Sequence, residues 1–134
     1  MSTSETINIK KIHADDVLLL QSIGRQTFKE TFADGNTVEN MRKYLEEGFS
    51  IEKLTSELND KNAAFYLAEN TDNVVGYLKL NFGGSQTELK DEKAVEIERI
   101  YVLKEFHGQN VGQKLSDKAI QVAKDHNSDY VWLG

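Results

Sequence analysis

The sequence predicts one α/β domain of the α+β kind, with strands and helices grouped in blocks rather than strictly alternating. Three observations carry that reading. Short β-branched or alternating runs mark strands at 7–12, 63–69, 74–82, 95–102 and 130–133. Amphipathic runs at helical spacing follow the first strand and lie between the last two. The resulting order is a strand, a helical block, three strands, a long helix and a last strand, which is neither a doubly wound fold nor a barrel.

Each element has its own local reason. Ile7 to Ile12 alternates apolar and polar residues, as a half-buried strand does. A helix starts at Ala14 or Asp15 with acidic residues in its first turn, where the dipole favours them. Val17, Leu20, Gly24, Thr27, Phe28, Thr31 and Phe32 run down one side of it, and Asp34-Gly35-Asn36 ends it. Thr37 is an N-cap for a helix over 38–46 and Ser50 for another over 51–58. Asn59 to Asn62 breaks the helical block. Two strands then flank the polar loop 70–73, which predicts an antiparallel hairpin. Gly83 to Lys93 is a polar, glycine-led connection, expected to be mobile. After the fourth strand the helix stripe Val111, Leu115, Ala119, Val122 and Ala123 defines one apolar face, and the helix runs to about His126.

At 134 residues the chain, 1–134, reads as a single domain with room for a real core. It carries no cysteine, and its three histidines are scattered, so no metal site is expected. A net charge of −6 argues against nucleic acid as a partner and is compatible with a cationic small substrate. No apolar run approaches the roughly 20 residues that span a bilayer, and Met1 to Glu5 lacks the layout of a signal peptide. A cytoplasmic protein is expected, with the choice between monomer and homodimer left open.

The chemistry is expected at the turn between the fourth strand and the long helix, His107-Gly108-Gln109-Asn110-Val111-Gly112-Gln113. A helix N-terminus leaves its first N–H groups unpaired and carries positive potential, which suits a phosphate. Gly108 and Gly112 let a ligand approach the backbone, and Asn110 tolerates a left-handed conformation. Two common phosphate loops are excluded. Gly108 and Gly112 enclose three residues where a Walker A loop needs four, and no G-x-G-x-x-G occurs anywhere in the chain.

This turn resembles motif A of the GNAT acetyltransferases, Gln/Arg-x-x-Gly-x-Gly/Ala, with Gly112 matching while His107 and Asn110 depart from the usual residues. The flanks, Ile97-Glu98-Arg99-Ile100-Tyr101-Val102 and Gly112 to Ile120, are similar to the family's. Thr27 to Phe32, Glu39-Asn40-Met41, Tyr44-Leu45-Glu46 and the closing Trp132-Leu133-Gly134 look like the PaiA-type polyamine N-acetyltransferases. The resemblance implies the GNAT-like acyl-CoA N-acyltransferase fold, a mixed and mostly antiparallel sheet flanked by helices. Family members continue past the fifth strand into an Asn that helps hold CoA and a Tyr that serves as general acid. The chain therefore reads as C-terminally truncated, either a piece of a longer protein or a shortened relative, and as given is expected to bind CoA weakly and catalyse nothing.

The resemblance also implies roles. Acetyl-CoA would be the cosubstrate, its diphosphate held by the amides of His107, Gly108, Gln109, Asn110, Val111, Gly112 and Gln113. The main chain of Ile100, Tyr101 and Val102 would pair with the pantetheine arm as an added strand does. Amine acetylation also needs a group to take the ammonium proton. Glu96 and Glu98 lie two apart on a strand and so share a face. Glu98 is the candidate base, Glu96 would help bind a cationic amine, and Phe28, Phe32 and Tyr44 would wall the cleft. The expected activity is acetyl transfer to a primary amine of a small polyamine-like substrate. A CoA-binding regulator without catalysis and a protein N-acetyltransferase are the alternatives.

Overall fold

A computed structural model describes residues 7–71 and 73–134. The expectation for Met1 to Glu5 lies outside those residues, as does Asp72 of the 70–73 loop. The strands are β1 (Ile7–Ile12), β2 (Ala63–Asn70), β3 (Asn73–Phe82), β4 (Ala94–Val102) and β5 (Tyr130–Leu133). The helices are α1 (Val17–Phe32), α2 (Val38–Gly48), α3 (Ile51–Leu58) and α4 (Val111–Asp125). A 3-10 turn, Ala14–Asp16, sits where the first helix was expected to begin.

The five strands form one sheet in the order β1-β2-β3-β4-β5. The first four pair antiparallel, and β5 lies parallel to β4, with Ala94 to Ile97 opposite Tyr130 to Leu133. That parallel pair needs a crossover, which α4 supplies. Thr37 and Ser50 cap their helices as expected, accepting hydrogen bonds from the N–H groups of Asn40 (3.0 Å) and Lys53 (3.1 Å).

Strand alternation divides the core between the two faces of the sheet. On one face Tyr66, Leu78, Leu80, Val95 and Ile97 pack against Val111, Leu115, Ala119 and Ala123 of α4, the predicted stripe. On the other, Phe65, Leu67 and Tyr77 pack against Leu20, Ile23, Phe49 and Leu54 from the α1–α3 block. Helix α1 seats closely because Gly24 has no Cβ: one built there would stand 2.7 Å from the Phe49 ring. Leu20, Gly24 and Thr27 of the expected stripe are buried, and Ile23 joins them.

The Gly83 to Lys93 connection is not the loose segment its composition suggests. Gln86 is buried, donates to the Asp91 carbonyl (2.8 Å) and accepts from the Trp132 indole (2.7 Å), while the Ser85 hydroxyl donates to Asp60 (2.7 Å). Gln86 and Ser85 are tied into the fold, while Thr87 to Lys90 remain exposed.

Candidate active site

Two regions meet at β4. The first is the turn into α4. Gly108 (φ +85°) and Asn110 (φ +65°) are both left-handed, and these two residues bend the chain at the turn. The first intrahelical bond runs from the Lys114 N–H to the Asn110 carbonyl (3.0 Å). Among the described residues, the N–H groups of Gly108, Asn110, Val111, Gly112 and Gln113 meet no main-chain carbonyl. They open onto a cleft of about 490 Å³ lined by Ile100, Val102, Phe106, His107, Gly108, Asn110, Val111, Gly112 and Gln113. Eight of the ten residues expected to hold CoA are therefore together, with Phe106 added. Gln109 instead turns its N–H back to the Phe106 carbonyl (3.4 Å), and Tyr101 points to the opposite face of the sheet.

His107 folds back rather than outward: its Nε2 lies 2.9 Å from the Val102 carbonyl, to which it donates. The imidazole thus pins the start of the turn to the end of β4. Beyond Ile97, β5 no longer pairs with β4. Among the described residues, the outer main-chain edge of Glu98 to Val102 has no strand beside it.

The second region lies on the α1–α3 face. Phe28, Phe32 and Tyr44, expected at a substrate cleft, do converge: Phe28 stands 4.7 Å from Phe32 and 6.0 Å from Tyr44, ring centre to ring centre. With Thr27, Phe49, Lys53, Tyr77, Arg99 and Tyr101 they line a cavity of about 270 Å³. Burial pushes the Tyr77 hydroxyl up, so it stays protonated there.

Glu98 does not line that cavity; it precedes Arg99, which does, and sits in a β-bulge. Lys79 pairs with Arg99 and Leu80 with Ile97, which leaves Glu98 opposite no residue of β3. The extra residue lets Glu98 and Arg99 both serve the α1–α3 face. Lys79 Nζ reaches Glu98 Oε1 at 2.8 Å and Glu57 Oε1 at 3.6 Å, and Arg99 reaches Glu57 at 3.1 Å and Glu98 Oε2 at 3.4 Å. Burial alone would raise the Glu98 carboxyl. The hydrogen bonds of Asn81 and Lys79 and the charges of Arg99 and Lys79 outweigh it and hold the group below its ordinary value.

Glu96 is a correction to the sequence reading. It does share a side with Glu98, since Asn81 Nδ2 donates to both carboxylates (3.0 and 2.8 Å). Yet Glu96 is fully buried, and its oxygens accept from the Thr87 N–H (2.8 Å) and hydroxyl (2.5 Å). A carboxylate so committed does not reach a substrate; it braces Asn81 and the 83–93 connection. Sequence reasoning also missed Lys79, Asn81 and Glu57. The available signal was the polar pair Lys79 and Asn81, two apart in an otherwise apolar β3.

Among the described residues, no group of three or more His, Asp or Glu side chains is placed to hold a metal, and no helix is long and apolar enough to cross a membrane. Comparison with known proteins adds the family. Residues 26–134 match the Acetyltransferase (GNAT) family. An uncharacterized N-acetyltransferase from Lactobacillus delbrueckii subsp. lactis is 33% identical over 128 residues, 96% of this chain and 74% of the relative. In structure, the PaiA N-acetyltransferase from Thermoplasma acidophilum, solved with coenzyme A, superposes with a TM-score of 0.75 at 22% identity, covering 90% of this chain and 73% of that one. An aminoglycoside acetyltransferase from an uncultured soil metagenomic sample, solved with sisomicin, gives 0.72 at 19% identity, over 96% and 76%. With the turn, the bulged β4 and the mixed sheet all in place, the chain belongs to the acetyltransferase (GNAT) family and is an N-acetyltransferase.

Proposed function

We propose that this chain transfers the acetyl group of acetyl-CoA to a primary amine of a small, polyamine-like substrate. The observation that carries the donor half is the set of amides at Gly108 and at Asn110 to Gln113 that meet no main-chain carbonyl among the described residues, at a helix N-terminus and around a cleft open to ligand. These donors match a diphosphate, whose oxygens accept several hydrogen bonds at once. The edge of Ile100 to Val102, which no strand flanks among the described residues, suits an extended pantetheine arm, and the coenzyme A complex of the Thermoplasma relative supports this assignment.

On the acceptor side, the aromatic rings of Phe28, Phe32 and Tyr44 offer π faces to an alkylammonium. The net charge of −6 draws cations toward the molecule. Glu98, held ionised and paired with the cavity-lining Arg99, is the group that accepts the amine proton, directly or through a water. The PaiA-type neighbour and the sequence resemblance favour a polyamine over an aminoglycoside. The test is release of free CoA when the protein is mixed with acetyl-CoA and a panel of amines. Turnover highest with spermidine or spermine supports the reading; turnover only with an aminoglycoside or a peptide amine overturns the substrate, and none with any amine overturns the whole.

A further inference from the structure

The bulge creates a problem that the ladder does not solve. A bulged residue has no cross-strand partner in register, so its side chain is held by the contacts it makes with other groups. For Glu98 those contacts are unequal between its two oxygens. Oε1 receives Lys79 Nζ at 2.8 Å and Asn81 Nδ2 at 2.8 Å, whereas among the described residues Oε2 has the Arg99 guanidinium alone, at 3.4 Å.

We propose that Lys79 and Asn81 are positioning residues for Glu98: they commit Oε1 and leave Oε2 as the oxygen that takes the proton from the substrate amine. The proposal rests on the reading of Glu98 as the base and goes beyond it, to two β3 residues and to one oxygen. The groups facing Glu98 are Lys79 and Asn81 from β3, Arg99 and Glu96 from β4, and Glu57 from α3, which reaches it through Lys79 and Arg99.

Each positioning residue is itself fixed. Asn81 is fully buried and divides its two amide hydrogens between Glu96 and Glu98, with Glu96 in turn held by both donors of Thr87. Its Oδ1 is buried with no hydrogen-bond partner among the described residues. The opposite amide orientation would aim that oxygen at two carboxylates, so the donor must face them despite the unmet acceptor. Lys79 is nearly buried, with its ammonium 5.6 Å above the Phe65 ring and Glu57 as its second acidic partner. Both donors therefore approach Glu98 along directions the fold prescribes.

A bland alternative is that this network only fastens α3 to the sheet. It is separated by variants that break different links. Lys79→Met removes a donor and a positive charge from Glu98, so the acid limb of kcat/KM against pH should move up by about one unit, and Lys79→Arg should restore it. Asn81→Leu should move the limb in the same direction by less. Glu57→Gln breaks the tie to α3 while leaving Lys79 on Glu98, so it should lower the melting temperature without moving the limb upward. An unmoved limb in Lys79→Met, or an equal upward shift in Glu57→Gln, would overturn the positioning role. The side-chain carboxyl of Glu98 titrated by NMR in carbon-labelled wild-type and Lys79→Met protein gives the same answer without turnover. An enzyme inactive on every amine, or a fully active Glu98→Gln, sinks the proposed function, whereas the NMR titration alone decides whether Lys79 governs the carboxyl.

Discussion

The β4–α4 turn and the Glu98 network lie on opposite faces of the same strand and are built from different materials. The turn is made of main chain. Its donors are amides, its shape comes from two left-handed residues, and its one conspicuous side chain, His107, points back into β4. The network is made of side chains that reach across from β3, α3 and the 83–93 connection to a carboxylate displaced by a bulge. The turn should therefore tolerate most side-chain exchanges and resist added bulk or altered φ. The network should show the reverse.

Substitutions that break one region and spare the other sharpen that contrast. The largest effect is expected from Glu98→Gln, which keeps the shape and removes the base: kcat/KM should fall by about 10²–10⁴-fold, with CoA affinity by calorimetry unchanged. Next is Leu115→Ala, in the fully buried stripe that seats α4 under the turn. It should cost about 2–5 kcal/mol in urea unfolding and affect both regions together. Gly112→Val is smaller and more telling. A Cβ there meets nothing nearer than Val102 Cγ2 at 4.0 Å, so the fold should hold while CoA affinity drops by about tenfold or more, some 1.4 kcal/mol. At Asn110 (φ +65°), Ala should lose about 1–2 kcal/mol of stability and Gly should lose none.

The smallest effect is one of pH. The Glu98 carboxyl in the fold lies below its ordinary value of 4.5. Its contribution to stability is thus fully present above that value and is lost as pH falls through the folded-state pKa. Melting temperatures measured through the acid range should decline more steeply for the wild type than for Glu98→Gln.

The same contrast explains what could be read in the sequence. The turn announced itself because backbone sites mark the chain locally: Gly108, Asn110 and Gly112 stand between a β-branched strand and a helix stripe. The strands, the hairpin and the caps at Thr37 and Ser50 were legible for the same reason, each resting on neighbours in the chain. The network rests on residues far apart in sequence. Thr87 lies in a connection that reads as solvated, and a bulge adds one residue without any compositional trace. Glu96 was misassigned because a carboxylate on a strand face reads as exposed until the partners that bury it are in place. Lys79 and Asn81 were overlooked because polar residues alternating in a strand are ordinarily its wet side.

The account depends most on main-chain amides of the turn gripping a diphosphate. Titrating CoA into nitrogen-labelled protein and following every amide resonance tests that directly. The largest shifts should fall on Gly108 and on Asn110 to Gln113, with the amides of the Glu98 network moving less. Resonances of the turn that stay still while CoA binds, or that leave the saturated protein with shifts clustered elsewhere, would contradict it.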